Sequence, residues 1–179
     1  MLSAQIRQRL PILREPEPGS HGLRAAVLVV LFSRQGHTQV LMIKRAKNLN
    51  RHAGEISFPV GMFEVEDADL LTTALRETRE ELRMDIASAL VIGRLCPVTT
   101  AVGVEVAPFL AVVEDLPPYE GNMDEVALTL EIPLAPLLAT EQLSSDHKPD
   151  MFEFHFGEHR IWGASAKILR QVGQLAIFV

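Results

Sequence analysis

The chain contains an unbroken apolar run, Ala25–Phe32, that constrains the fold more than any other segment. Its eight residues are too few to cross a membrane, because a membrane-spanning helix needs about 20 residues. A short run rich in Val and Leu is instead typical of a buried strand. A turn with Gly36 follows, and Gln39–Lys44 then predicts the returning strand of a hairpin.

Strand and helix patterns both occur in the rest of the chain. Apolar and polar residues alternate along Val126–Ile132, and again along Phe152–Phe156 before a turn at Gly157 that predicts a second hairpin. Pro108 lacks an amide hydrogen and therefore places its strand at a sheet edge or a bulge. The other predicted elements are strands over Leu90–Leu95 and Val104–Val113, and helices from Asp67 or Asp69 to Arg83, over Pro133–Leu138 and over Gly163–Leu175. This mixture predicts an α/β fold with antiparallel hairpins, and it leaves parallel pairing open.

Composition excludes several classes of protein. The 179 residues suit one domain, which we place over residues 23–179 after an N-terminal arm over residues 1–22. The net charge of −6 argues against nucleic acid as the main partner, because Lys and Arg supply most of the affinity for phosphate backbones. Cys96 is the one cysteine, which excludes a disulfide framework and a cysteine-ligated zinc site, and we expect it to be buried. With no predicted membrane span or signal peptide, we expect a cytoplasmic protein.

Charge is distributed unevenly along the chain. The segment Lys44–His52 carries four Lys and Arg residues and no acid, whereas Glu64–Glu81 carries seven acids and two arginines. One explanation is a pair of solvated surfaces of opposite sign. The other is a site that binds an anion on its basic side and a divalent metal on its acidic side. The charge pattern alone leaves both explanations open.

The acidic segment includes a predicted amphipathic helix. At about 100° per residue, one narrow stripe is expected to pack on the core. That stripe consists of Leu71, Leu75, Thr78 and Leu82. Glu77, Glu80 and Glu81 then lie on the far side, where Glu77 and Glu81 form a like-charge pair that costs about 0.2–0.5 kcal/mol without a counter-charge. Mg²⁺ is a suitable counter-charge, because it binds carboxylates together with water and phosphate oxygens.

The complete string around these glutamates is more specific than its charge. Arg76-Glu77-Thr78-Arg79-Glu80-Glu81, preceded by the loop Phe58-Pro59-Val60-Gly61, resembles the motif of Nudix hydrolases. The resemblance implies a Nudix-like α/β/α sandwich with a mixed sheet. It also implies cleavage of a diphosphate linked to another moiety, with Mg²⁺ or Mn²⁺ as cofactor.

Flanking residues resemble one subgroup, the coenzyme A pyrophosphatases. The matching residues are Leu41-Met42-Ile43-Lys44-Arg45-Ala46, Arg51, Gly54, Phe58-Pro59-x-Gly61 and Asn122-x-Asp124-Glu125-Val126. Three positions depart from the Nudix pattern. Val60 replaces one glycine of a pair, Met62 replaces a residue that is often polar, and Arg83 replaces the glycine after the helix. None of these departures removes a carboxylate.

The resemblance also implies roles for individual residues. Glu77, Glu80 and Glu81 are the expected metal ligands, Arg76 orients a glutamate, and the Gly61 carbonyl completes the metal shell. One of these three glutamates is a candidate for taking the proton of the attacking water, and Glu125, or an acid in the loop Glu114–Glu120, is a candidate for a further base. Arg45 and Arg51 are candidates for the additional phosphate of coenzyme A, since arginine binds phosphate through two parallel hydrogen bonds.

The expected activity is hydrolysis of coenzyme A or an acyl derivative to 3′,5′-ADP and a phosphopantetheine. Two alternatives remain at this point: a Nudix hydrolase of another nucleoside diphosphate compound such as NADH, ADP-ribose or a dinucleoside polyphosphate, and a nucleotide-binding Nudix domain without turnover. The expected partner is this small molecule, with neither nucleic acid nor membrane. The oligomeric state is open, with a homodimer as one alternative.

Overall fold

The central strand of the protein is the apolar run. The computed structural model describes residues 24–144 and 151–175, together with residues 6, 8 and 10. β1 (Arg24–Arg34) is buried throughout residues 25–32 and pairs antiparallel with β2 (His37–Arg45), which confirms the predicted hairpin. Gln35 and Gly36 form the turn with positive φ angles of 51° and 78°, the backbone conformation that a tight hairpin requires.

The main sheet is mixed, because β1 has a parallel partner on its other side. β7 (Glu105–Val113) pairs with β1 in parallel over nine residue pairs, from Arg24 opposite Glu105 to Phe32 opposite Val113. The remaining pairings are antiparallel. These join β3 (Ile56–Ser57) and β8 (Val126–Pro133) to β2, β4 (Val60–Met62) to β1, and β5 (Val91–Arg94) and β6 (Val98–Thr99) to β7.

Helices cover both faces of this sheet. α1 (Leu70–Leu82) packs on one face, against a core that includes Ala26, Leu28 and Val30 of β1. The opposite face is covered by α2 (Leu134–Leu138), α3 (Gly163–Gln174) and a small sheet of β9 (Gln142–Leu143), β10 (Phe152–Phe156) and β11 (His159–Ile161). The predicted α/β/α sandwich in a single domain is therefore confirmed. None of the helices within the described residues is long and apolar enough to cross a membrane.

Local signals determine both ends of α1. The Asp69 side chain accepts a hydrogen bond from the Thr72 amide at 2.7 Å and so caps the first turn. Arg83 ends the helix in the left-handed conformation with φ 50°, and its amide donates to the Arg79 carbonyl at 2.8 Å. The position after the helix that usually holds glycine therefore has the backbone conformation that favours glycine, although it holds arginine.

Pro108 is not at a sheet edge, contrary to one of the two predicted placements. β7 lies between β1 and the pair β5 and β6. The Pro108 carbonyl accepts a hydrogen bond from the Leu95 amide, at the point where β5 ends and before β6 begins. Because the N and O atoms of one strand residue point to the same side, the missing amide hydrogen faces the interval between β5 and β6. An interior proline is tolerated there because no strand partner requires its hydrogen.

Three other expectations concern the ends and the surface. The predicted arm over residues 1–22 lies outside the described residues except for residues 6, 8 and 10, of which Ile6 is fully buried in the core. The short strand β3 was not among the elements predicted from the sequence. The prediction that Cys96 is buried is wrong: it is exposed in the β5–β6 connection, where its amide and carbonyl both bind the Gln171 side chain.

Candidate active site

α1 turns two of its three glutamates toward the sheet. Glu81 is 1 % exposed and Glu77 is 9 % exposed, whereas about half of the Glu80 side chain is accessible to solvent. Leu71 and Leu75, expected in the core stripe, are only partly buried. The prediction that the glutamates lie on the far side of the helix from the packed face is therefore wrong for Glu77 and Glu81. A prediction from apolar spacing places every carboxylate away from the core. It fails here because the amide of Val60 and the guanidinium groups of Arg45 and Arg76 bind these carboxylates on the sheet side of α1.

The short strand β4 places its backbone against these carboxylates. Gly61 pairs with Ala26 and faces α1, so closely that an added Cβ would lie 1.9 Å from the Glu77 carboxyl carbon. The Val60 amide donates a hydrogen bond to Glu81 Oε2 at 3.0 Å. The Val60 side chain packs into the core on the other face of the sheet. Valine at this position therefore leaves the space beside the glutamates open.

Arg76 is fixed by Asp67, whose predicted role was to cap the helix. Asp67 accepts hydrogen bonds from Arg76 Nε at 3.0 Å and from Nη2 at 2.9 Å, a two-bonded ion pair. The pair holds the pKa of Asp67 well below its usual range and raises that of Arg76. The remaining nitrogen, Nη1, donates to Glu77 Oε1 at 2.6 Å and to Glu80 Oε2 at 3.3 Å. Arg76 thus contacts two of the predicted metal ligands.

Met62 and Arg83, two of the departures from the Nudix pattern, also have defined places. The Met62 carbonyl accepts a hydrogen bond from Arg76 Nη2 at 3.0 Å, while its side chain is exposed. The Arg83 guanidinium binds Glu120 at 2.9 Å on the surface. Glu120, one of the acids considered as a base, is therefore paired with Arg83.

Arg45 reaches the same cluster from β2. Its side chain lies on the same face of β2 as the buried Leu41 and Ile43, the face toward α1. Arg45 Nη1 donates to Glu81 Oε1 at 3.1 Å, and Arg45 Nε is buried without a hydrogen-bond partner among the described residues. Arg51 is exposed and has no ion pair among the described residues. Phosphate binding by Arg45 and Arg51 stays a prediction.

Burial gives the glutamates unusual acid–base properties. Desolvation raises the pKa of the Glu81 carboxyl to about 8, and it also raises the pKa of Glu77. The negative charge of Glu125 contributes to both shifts, which places this residue near the cluster. The Glu125 carboxylate accepts a hydrogen bond from the Asn122 side chain at 3.2 Å. The site therefore contains more negative charge than Arg45 and Arg76 comfortably neutralise.

Comparison with known proteins identifies this arrangement. A family model of the NUDIX domain matches residues 22–148, which is most of the chain. The chain belongs to the Nudix hydrolase family. The Nudix hydrolase NudL of Yersinia enterocolitica, described as uncharacterized, is 35 % identical over 177 residues, spanning 90 % of this chain and 87 % of the relative.

Solved Nudix structures share the fold of this Nudix chain. A MutT/nudix family protein from Enterococcus faecalis has a TM-score of 0.64 at 13 % identity, with 97 % of this chain and 73 % of that chain covered. The NUDIX domain of Shewanella oneidensis NrtR, in complex with ADP ribose, has a TM-score of 0.52 at 20 % identity, with 75 % and 86 % covered. At these identities the likeness supports the fold alone.

Nudix hydrolases generally use divalent metal ions, and the residues of this Nudix site fit such an ion. Within the described residues, no three His, Cys, Asp or Glu side chains form a ready-made metal cage. The carboxylates are instead held by guanidinium groups, Glu77 by Arg76 and Glu81 by Arg45. Oxygen ligands with a deficit of positive charge are the chemistry that Mg²⁺ and Mn²⁺ prefer.

Proposed function

We propose that this Nudix hydrolase cleaves the diphosphate bond of coenzyme A or its acyl derivatives, with Mg²⁺ or Mn²⁺, giving 3′,5′-ADP and 4′-phosphopantetheine or its acyl form. The observation that carries the diphosphate chemistry is the burial of two carboxylates against β4, Glu77 beside Gly61 and Glu81 at the Val60 amide. The coenzyme A assignment is supported by the flanking sequence and by Arg51, which is exposed and forms no ion pair with any described residue.

The carboxylates of Glu77, Glu80 and Glu81, with the Gly61 carbonyl, would hold the metal. When bound, a divalent ion neutralises charge on the diphosphate and lowers the pKa of a coordinated water. Asp67 fixes Arg76, which in turn orients Glu77 and Glu80. This pre-organisation is useful because phosphoryl transfer depends mainly on positioning and charge stabilisation.

We assign Glu125 as the candidate base. The other carboxylates of the site bind a guanidinium group. The Glu125 carboxylate instead binds the neutral side-chain amide of Asn122, as far as the described residues show. In the proposed reaction, the oxygen of water attacks one phosphorus and its proton passes to this carboxylate. The bond from that phosphorus to the bridging oxygen breaks, and the bridging oxygen leaves with the other phosphate.

A substrate panel tests the proposal directly. Purified protein with Mg²⁺ or Mn²⁺ is assayed with coenzyme A, NADH, ADP-ribose and a diadenosine polyphosphate, and both products are identified. We expect coenzyme A to have the highest kcat/KM. Preferential turnover of another compound would replace the substrate and keep the Nudix chemistry. If none of them is hydrolysed while nucleotides still bind, the chain is a binding domain.

Arg51 provides the test of the additional phosphate. Replacing Arg51 with Ala is expected to raise the KM for coenzyme A about tenfold, because it removes a charge-assisted contact to phosphate. The KM for dephospho-coenzyme A, which lacks the 3′-phosphate, should change little. Equal effects on the two compounds would remove Arg51 from that role.

A further inference from the structure

The two arginines of the site are held in very different ways. The Arg76 guanidinium is held by Asp67 through two nitrogens, and it also binds Glu77, Glu80 and the Met62 carbonyl. Arg45 makes one side-chain hydrogen bond, to Glu81 at 3.1 Å. Breaking a two-bonded ion pair costs more than breaking one hydrogen bond, so Arg76 is the fixed cation and Arg45 the exchangeable one.

The position of Arg45 leaves part of its guanidinium unsatisfied. Its Nε is buried with no hydrogen-bond partner in the described part of the chain, and buried donors without partners are rare because each one costs free energy. Strand alternation places the Arg45 side chain toward α1, on the same face of β2 as Leu41 and Ile43. The Arg45 side chain therefore points at Glu81, but its guanidinium group uses only part of its hydrogen-bonding capacity there.

Glu81 cannot easily remain charged without a cation. Its carboxylate is almost fully buried, and Glu77 and Glu125 lie close enough to repel it. The Val60 amide stabilises one oxygen, and Arg45 contacts the other oxygen. A divalent ion bound to Glu81 would approach an oxygen that the guanidinium contacts, and two cations around one carboxylate repel each other.

We propose that Arg45 is the internal counter-ion of Glu81 and competes with the divalent metal for this carboxylate. The inference rests on the proposed metal site. Metal binding then releases the Arg45 guanidinium from Glu81. Arg45 belongs to the segment Lys44–His52, which is rich in Lys and Arg. The released group becomes available to the phosphates of the substrate, so metal binding precedes productive binding of the diphosphate.

Direct measurement of metal affinity tests the competition without relying on turnover. Mg²⁺ binding to the full chain is measured by titration calorimetry, at the same pH and ionic strength for every variant. We expect Arg45→Met to bind Mg²⁺ about tenfold more tightly than the unmodified protein, the scale of one lost hydrogen bond to a charged group. Weaker or unchanged binding by the folded variant would overturn the proposal.

Lys44→Met is the matched control. It removes one positive charge from the adjacent residue, whose side chain lies on the opposite face of β2 and which pairs with Ile56 and Leu128. Its Mg²⁺ affinity should stay within about twofold of the unmodified protein, since the Lys44 ammonium forms no ion pair with the described residues of the site, and solvent and salt weaken the effect of such a charge. An equal gain in affinity for both variants would show a general charge effect and overturn the assignment to Arg45.

A double variant separates competition from a structural role. In the Glu81→Gln background, Arg45→Met should change the remaining Mg²⁺ affinity by less than about twofold, because the carboxylate on which it acts is absent. A persistent tenfold effect would contradict the mechanism. If Arg45→Met does not fold, Arg45→Lys serves instead. The lysine ammonium lacks the forked hydrogen-bonding geometry of arginine and should hold Glu81 less tightly, so we expect this variant to bind Mg²⁺ about threefold more tightly than the unmodified protein. Unchanged affinity in Arg45→Lys would then overturn the proposal.

The outcomes also separate this inference from the proposed function. If the unmodified protein binds no Mg²⁺ or Mn²⁺, the metal site itself is wrong, and the inference fails with it. If the unmodified protein binds metal and hydrolyses a diphosphate but Arg45→Met binds metal less well, the proposed function stands. In that case Arg45 supports the metal site instead of competing for it.

Discussion

At the scale of single residues, Gly61 and Glu77 occupy adjoining space that has no room for another carbon atom. Position 61 requires glycine because of a close contact and not because of its backbone conformation. The nearest atoms to an added Cβ are the carboxyl atoms of Glu77. Those atoms are the end of a flexible side chain. The fold can therefore accept a larger residue, but only by moving a predicted metal ligand.

We expect Gly61→Ala to fold normally and to lose about 10²-fold in kcat/KM, because a displacement near 1 Å in an active site has effects of this size. The Mg²⁺ affinity should fall with it. Gly173→Ala is the control, since it adds the same methyl group to α3 in the opposite layer, beside Leu138. Calorimetry and steady-state kinetics on both variants check the result. Full activity of Gly61→Ala would remove Glu77 from the metal site.

The residue scale also shows which parts of the site a sequence can predict. Arg76 and the three glutamates belong to one short string, so a motif captures them together. The Arg45–Glu81 contact joins residues 36 positions apart, and no local pattern predicts that the end of β2 lies beside the end of α1. Asp67 was visible as an acid nine positions before Arg76, but its role as the anchor of that guanidinium required the path of the chain after β4.

At the scale of elements, α1 has predictable ends and a poorly predicted face. Asp69 is a local cap, so the start of the helix follows from the sequence. The buried face depends on what lies across from the helix, and β4 provides a backbone amide for Glu81 there. The spacing of apolar residues along α1 does not predict this contact with the Val60 amide.

The C-terminal end of α1 leads to a stability prediction. Arg83 has a φ of 50°, where a side chain costs roughly 1 kcal/mol relative to glycine. We expect Arg83→Gly to be about 1 kcal/mol more stable than Arg83→Ala in urea unfolding. Both variants lose the exposed contact with Glu120, so their difference isolates the backbone effect. Equal stabilities would show that the turn adapts to a Cβ without strain.

At the scale of the whole molecule, the parallel pairing of β1 with β7 was the part of the fold that the sequence left open. The two strands are separated by most of the main sheet along the chain, and neither carries a signal for its partner. Pro108 predicted an edge or a bulge, and β7 is interior because β5 and β6 leave an interval opposite the proline. Long-range pairing of this kind depends on the summed packing of both faces.

The buried glutamates should make the stability of the whole protein depend on pH and metal. The folded pKa of Glu81 is raised from 4.5 to about 8, and that of Glu77 is raised as well. Between these pH values the unfolded chain has lost a proton that the folded chain keeps. The free energy of unfolding of the metal-free protein should therefore fall as pH rises from about 4.5 to about 8.

Urea unfolding at several pH values, with a chelator and then with excess Mg²⁺, measures this dependence. Glu81→Gln should flatten the slope in the chelator, because glutamine does not titrate. Mg²⁺ at about 100 times its Kd should add about 2.7 kcal/mol to the unmodified protein, since it binds only the folded state. A slope that persists unchanged in Glu81→Gln would assign the effect to other groups.

The burial of Glu81 at the centre of the packing face of α1 has a consequence for how relatives of this protein diverge. Apolar residues in place of both Glu81 and Arg45 would fill the same space without a desolvation cost, whereas replacing one of them would leave the other charge buried, so stability favours replacing the pair once hydrolysis is no longer needed. A Nudix-fold chain that has become a sensor or scaffold is then expected to carry apolar residues at both positions. The identity of one buried helix residue thus distinguishes descendants that kept the chemistry from those that kept only the architecture.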